Sequence, residues 1–296
     1  MPISRFVDYL RLEKKYSEHT VVAYHKDLIS FQEFCATAYD HVDLIDMNYG
    51  LIRGWIVSMV EAGLSNRSIN RKISALKAFY KYLLKTKQIQ EDPLIKHKAL
   101  KVSQRLQVPF SQLEIEEVIA ALESANDFES VRNRLMVELL YSTGMRRAEL
   151  IELQIDDVDL SNETIKVLGK RNKERYIPLL KNVQETITNY VTFRERLERI
   201  NSTHLFLTNK GNKMYPTLVY RVINSYFSNV SSKIKKSPHV IRHSFATHLL
   251  NEGADLNSVK ELLGHSSLAS TQVYTNSSLS ELKKVYNRAH PRGSKN

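Results

Sequence analysis

Between Ile69 and Leu83, apolar side chains recur every three or four residues: Ile69, Ile73, Leu76, Tyr80 and Leu83. No other stretch restricts the fold as tightly. The spacing matches the turn of an α-helix and predicts one over residues 67–84, with Ser65 as its N-cap. At about 100° per residue, Arg67, Arg71, Lys77, Lys81 and Lys85 fall on the side opposite the apolar stripe. A solvated helix face ordinarily mixes charge signs, yet this one is all positive. Two readings are open, an exposed charged face or a helix laid on DNA, and the distribution of charge favours the second. From Asn66 to Arg105, eleven Lys or Arg stand against two acids, Glu91 and Asp92, within a chain of net charge +11. A cluster of this kind is the electrostatic footprint of a phosphate-backbone contact.

The 296 residues suffice for two domains, each burying its own core. With 42% hydrophobic and 25% charged residues, the composition is that of a soluble globular protein. No apolar run approaches the roughly 18 residues of a membrane span, and no basic-then-apolar leader opens the chain. The single cysteine, Cys35, lies beside Phe31 and Phe34 and reads as core. It excludes an internal disulfide and suits a reducing compartment, so the expected location is cytoplasmic. A pI near 9.5 points to nucleic acid as the partner, with an anionic membrane surface the weaker alternative.

Taken in order, residues 1–85 read as an all-helical domain. Ile3–Leu12 is a short amphipathic segment, Ser17 opens a helix through Tyr24, Leu28, Phe31 and Phe34, and Tyr49–Ala62 is closed by Gly63. The stretch Lys87–Pro109 carries two prolines and many charges with little periodicity, and residues 86–108 read as a basic interdomain linker. The second domain, 109–296, opens with the N-cap pattern Ser111-Gln-Leu-Glu114. A helix over Ser130–Ser142 meets Thr143-Gly-Met-Arg146, where glycine breaks one helix and another begins. Arg146 then sits in a first turn, with Glu149 spaced to hold or orient an arginine. Thr164–Leu168 and Arg175–Leu179 alternate around a polar, glycine-containing turn, a hairpin signal. Its basic tip, with Lys170 and Arg171, is suited to a groove. Helices over about 183–197 and 216–230 follow. The fold class expected is mainly α with a small β-sheet: an all-helical amino-terminal domain, then an α+β domain.

The chemistry concentrates late in the chain. His239 and Arg242 are three apart and share a helix face, His265 follows a glycine-terminated helical run, and Tyr274 lies nine residues further on. Two histidines, an arginine and a tyrosine suit a phosphodiester better than a metal. Arg146 and Arg242 offer permanently charged planar forks for the non-bridging oxygens, assisted by His239 and His265. Tyr274 is the candidate nucleophile. A free phenol titrates near 10, so ionising it at neutral pH costs about 4 kcal/mol, which neighbouring cations or a histidine base would offset. Lys170 is the candidate general acid for a departing 5′ oxygen. Each residue alone also has an ordinary structural reading: a helix-cap histidine, a Glu149 ion pair, a turn lysine. Their order on a basic scaffold changes the balance. No Walker loop appears, and His243 and His248 lack the carboxylate or cysteine companions of a zinc site, so neither a cofactor nor a metal is expected.

The motifs together resemble the tyrosine recombinase family, and its Xer-type members in particular. Matching in order and spacing are Thr143-Gly-x-Arg146-x-x-Glu149-Leu150, Gly169-Lys170-x-Asn-Lys-Glu-Arg175, His239-x-x-Arg242-His243-x-Phe-Ala-Thr-His248, Leu263-Gly-His265, Tyr274 and the Asn66–Tyr80 run. The resemblance implies a SAM-like core-binding domain and a catalytic domain closing as a clamp on double-stranded DNA. It implies Arg146, Lys170, His239, Arg242 and His265 as activators, and Tyr274 as the nucleophile that forms a 3′-phosphotyrosine. It further implies a tetramer on two DNA sites, with a second related recombinase as one arrangement. A tail helix bearing Leu279, Leu282 and Val285 would dock on a neighbouring subunit. His290-Pro-Arg292 is similar to tails on which a septal DNA translocase acts. Arg171 departs from the family's usual glycine, which leaves the chemistry intact but alters the hairpin tip. Resolution of chromosome or plasmid dimers is the expected role. The alternatives are a mobile-element integrase or invertase, a type IB topoisomerase, and a DNA-binding protein without catalysis.

Overall fold

The structure, a computed structural model, describes residues 2–40, 43–103, 107–123, 126–169, 173–264 and 276–293, the last group from residue 282 onward for side chains. The chain divides into two units, Met1–Arg105 and Leu106–Asn296.

In the first unit, α1 (Pro2–Asp8) runs into a π-helical turn over Tyr9–Glu13, and α2 (Glu18–Tyr39), α3 (Tyr49–Glu61) and α4 (Asn66–Lys85) follow. The helix starts are written locally: the side chains of Ser17, Asn48 and Ser65 each accept from a backbone N–H in the first turn. Ser65 is the N-cap that the sequence indicates. The stripe Ile69, Ile73, Leu76, Tyr80 and Leu83 is buried, and with Phe6, Leu28, Phe31, Cys35, Ile52 and Phe79 it forms the core of this unit. The stretch after α4 folds back onto it. Leu94 is buried in the same core, and Asn70 clamps Leu100 through both amide groups, accepting at 2.9 Å and donating at 2.8 Å.

The second unit contains α5 (Gln112–Ala121), α6 (Phe128–Thr143), α7 (Arg147–Glu152), β1 (Val158–Asp159), β2 (Thr164–Leu168), β3 (Glu174–Pro178), α8 (Lys181–Glu195), α9 (Pro216–Val230), α10 (Pro238–Asn251), α11 (Leu256–Leu263) and α12 (Asn276–Ala289). Ser111 and Glu114 form the capping box that begins α5. Helix α6 starts two residues earlier than periodicity indicates, because Asp127 caps it through Glu129 and Ser130. Twelve of the sixteen residues of α6 are buried, making it the central helix, packed between α8 and α10. The sheet is antiparallel in the order β1-β2-β3, with Ile165 opposite Ile177 and Val167 opposite Arg175. Alternation therefore places Arg175 on the inward face beside Ile165, Val167 and Ile177, a charged residue in the row of core side chains.

The tail adds to this core. Leu282 and Tyr286 of α12 are buried within their own unit, and the Tyr286 hydroxyl donates to the Ser142 carbonyl at 2.7 Å. The His290 ring follows them in, against Tyr141 and Tyr286, and burial pushes its pKa down to about 3. Of the tail residues Leu279, Leu282 and Val285, expected to dock on a neighbouring subunit, Leu282 is buried and Val285 half-buried against the core of their own unit. The Leu279 side chain lies outside the described residues.

Candidate active site

The site begins at the end of α6. Gly144 terminates that helix with φ +59°, a conformation costly for any residue with a Cβ. A Cβ there would also stand 2.3 Å from Cδ1 of Phe245, so both torsion and space call for glycine. Two residues later, Arg146 is the N-cap of α7. Its backbone N–H donates to Glu149 Oε2 at 2.7 Å, and its guanidinium donates to Oε1 at 2.6 Å. The i, i+3 spacing thus does hold an arginine on Glu149. Arg146 is held in this way while its side chain remains 31% exposed.

Glu149 is buried and accepts two further bonds, from Arg175 at 3.2 and 2.8 Å. Burial alone would raise its pKa. The bonds and charge of Arg175, then those of Arg146, outweigh it and hold the carboxyl below the ordinary range.

Pro238 at the first position of α10 fixes the helix start, and Arg242 follows one turn after His239. Arg242 is buried, donating to the Gly144 carbonyl at 2.6 Å and to the Leu263 carbonyl at 2.8 Å. Burial, then the charges of Arg146 and Arg175 against that of Glu149, pull its pKa down to about 10, still protonated at neutral pH. Two guanidinium groups, Arg146 and Arg175, therefore grip one carboxylate, the third, Arg242, lies within electrostatic reach of all three, and the cluster carries an unbalanced positive charge. An incoming anion would relieve it. His239 lies at the exposed edge of the cluster. Partial desolvation and the nearby Lys235, Arg242 and His243 lower its pKa, so its neutral, proton-accepting form is favoured at physiological pH. His248 is instead a core histidine, bonded to the Tyr141 hydroxyl at 2.9 Å.

Of the six residues that the sequence marks for catalysis, Arg146, His239 and Arg242 come together. Lys170, His265 and Tyr274 lie outside the described residues, as does Arg171. The chain positions just before two of them are described: Gly169 ends the run from β2, and Gly264 closes α11 with φ +63°. Sequence reasoning named Arg175 as a motif and strand position but missed its bridge to Glu149. The signal for burial was that Arg175 alternates in phase with Ile177 and pairs with Val167, both core residues.

In the first unit, Arg67, Arg71, Lys77, Lys81 and Lys85 are all exposed on one side of α4. Two of them are engaged. Arg71 makes a bidentate pair with the buried Asp27 of α2, at 2.6 and 3.0 Å, and Lys72 joins it at 3.0 Å. Lys85 lies 3.4 Å from Glu13 and over the Tyr9 ring. Arg67, Lys77 and Lys81 form no ion pair among the described residues. No group of three or more His, Cys, Asp or Glu among the described residues has metal-binding geometry. No described helix is long and apolar enough to cross a membrane.

Comparison with known proteins extends this picture over the whole length. The phage integrase family profile matches residues 110–281, and the phage integrase N-terminal SAM-like domain matches residues 3–87. The chain is 38% identical to tyrosine recombinase XerC of Bacillus licheniformis, covering 99% of this chain and 97% of that protein. It is 37% identical to tyrosine recombinase XerD of Staphylococcus epidermidis, covering 98% of each. The fold recurs in XerH site-specific recombinase bound to difH substrate, with TM-score 0.68, 23% identity and coverage of 96% of this chain and 84% of that one. It recurs also in the Tn1549 transposon integrase in complex with circular intermediate DNA, with TM-score 0.72, 20% identity and coverage of 95% and 98%.

Proposed function

We propose, because this chain belongs to the phage integrase family of tyrosine recombinases, that it is a site-specific DNA recombinase that cuts and rejoins double-stranded DNA through a 3′-phosphotyrosine. The observation that carries the reading is the convergence of Arg146, held on Glu149, and Arg242, held on the Gly144 carbonyl two residues before Arg146, with surplus positive charge and the neutral-leaning His239 at its edge. Such donors, held before substrate arrives, stabilise the charge that develops on the non-bridging oxygens during in-line attack. The Tyr274 phenolate attacks phosphorus, and its oxygen replaces the 5′ oxygen of the next nucleotide. Lys170 gives the departing oxygen its proton, and His239 and His265 manage the phenol's proton and bind the phosphate. In the second half, a 5′ hydroxyl from the partner duplex attacks the phosphotyrosine and releases the phenol. The bond energy is conserved, so the cycle needs neither ATP nor a metal.

Extensive identity with XerC and XerD proteins favours resolution of chromosome or plasmid dimers, with four protomers on two DNA sites, a second related recombinase as one arrangement, and a septal translocase as regulator. The fold is equally that of transposon and phage integrases, so integration or inversion for a mobile element is the alternative. The exposed cations of α4, led by Arg67, Lys77 and Lys81, with Arg171 at the hairpin tip, are the proposed backbone contacts. A nicked suicide substrate tests the chemistry: the protein is trapped covalently, and Tyr274→Phe abolishes the adduct while binding persists. An adduct that survives in that variant transfers the nucleophile's role elsewhere.

A further inference from the structure

Arg175 has no part in the chemistry above, yet it is the best-connected guanidinium of the site. It sits on the inward side of β3, only 4% exposed, where a charge is tolerable only against fixed partners. Each of its three nitrogens has one. Nε donates to the Leu262 carbonyl at 2.9 Å, and the two terminal nitrogens make a fork onto both oxygens of Glu149. Its stem and guanidinium also fill the space beside two glycines. A Cβ on Gly264 would lie 3.1 Å from Arg175 Cδ and 3.2 Å from Nη1, and one on Gly169 would lie 3.6 Å from Nη1.

Each partner is the root of a proposed catalytic group. Glu149 grips Arg146 twice. Leu262 adjoins Leu263, whose carbonyl takes Arg242. Gly169 precedes Lys170 in the chain, and Gly264 precedes His265. We infer that Arg175 is a positioning residue, a buried peg that fixes in one place the backbone roots of Arg146, Lys170 and His265 and the carbonyl that holds the Arg242 side chain, and so sets the geometry of strand cleavage. This rests on the cleavage reading given above.

The side chain's shape explains why arginine stands here. A planar fork satisfies a carboxylate with two donors while its third nitrogen reaches a carbonyl in another element; an ammonium is a single point and cannot span both. Without the fork, the buried carboxylate has Arg146 as its remaining donor, and the Arg146 guanidinium is drawn further inward, away from a phosphate. The same loss frees the end of α11, where Leu262 and Leu263 anchor the run into His265.

The test measures single-turnover cleavage of a nicked suicide duplex, carrying a core site selected from randomised DNA, at saturating protein. Arg175→Met should slow cleavage by about 100-fold while changing DNA affinity by less than about threefold, and Arg175→Lys should recover little of the rate. In a Glu149→Gln background, Arg175→Met should cost less than about fivefold more, since the two residues act through one contact. Hydrogen exchange should quicken at residues 144–149 and 262–264, and not in α8. If wild-type protein cleaves and Tyr274→Phe does not, but Arg175→Met cleaves at the wild-type rate, the peg is wrong and the cleavage reading stands. Fully multiplicative losses with Glu149→Gln overturn it equally, reducing Arg175 to a separate structural part. If wild-type protein forms no adduct, the cleavage reading fails, and exchange then decides the peg: unchanged exchange at both segments overturns it, and selective loosening upholds it. Should Arg175→Met fail to fold, Arg175→Lys carries the same comparisons.

Discussion

Neutralising Asp27 separates the cations of α4 that hold the fold from those offered to DNA. Its carboxylate is 2% exposed and accepts three charge-assisted bonds, two from Arg71 and one from Lys72. Bonds to charged groups contribute about 1.5–3 kcal/mol each, but the Arg71 side chain is 51% exposed, which places its two near the low end. Asn keeps one acceptor oxygen and turns an N–H2 toward a donor, so Asp27→Asn loses part of the set and repels what remains. The expected loss is about 2–3 kcal/mol in the first unit, a fall of roughly 10–20 °C in its midpoint. DNA binding should move the other way. The three groups go from a net charge of +1 to +2, and the released Arg71 becomes available to a phosphate, steepening the salt dependence by up to about one contact. Neutralising Lys77 and Lys81, which have no acid to hold them among the described residues, should instead flatten it by about one per contact. Calorimetry of the full chain and binding titrations across salt measure both quantities. A stability change under about 0.5 kcal/mol, or a shallower slope for Asp27→Asn, refutes the division of labour.

Two further outcomes follow from the second unit. Gly144→Ala should cost about 2–5 kcal/mol, combining left-handed strain with the clash against Phe245; Gly253→Ala, at φ +86° with nothing within 4 Å, should cost only about 1–2 kcal/mol by chemical unfolding, and equal losses would refute the clash. Burial would raise the pKa of Glu114, but Lys233, Ser231 and Ser111 outweigh it and bring it to about 2. Because the folded value is depressed, its stabilisation is complete above the ordinary carboxyl pKa of 4.5 and is lost as pH falls from there to about 2. Unfolding midpoints across that range should fall less steeply in Glu114→Gln, and an unchanged acid slope would remove Glu114 from the account.

What acts within a turn or two of the chain was legible from residue order alone. Ser65 and Ser111 start their helices, the apolar stripe of α4 finds the core, Gly144 breaks α6, and Glu149 meets Arg146 three residues away. Each depends on backbone geometry that repeats every few residues, so spacing alone reveals it. Tertiary structure decided the pairings between elements. Asp27 lies 44 residues from Arg71, and Glu149 lies 26 from Arg175. Nothing in local periodicity distinguishes those acids from solvated ones, and the basic face of α4 looked uniform until packing against α2 claimed Arg71. A buried charge is stabilised only by the groups that folding brings to it, and their identity is fixed by how helices and strands pack, not by how far apart they stand along the chain.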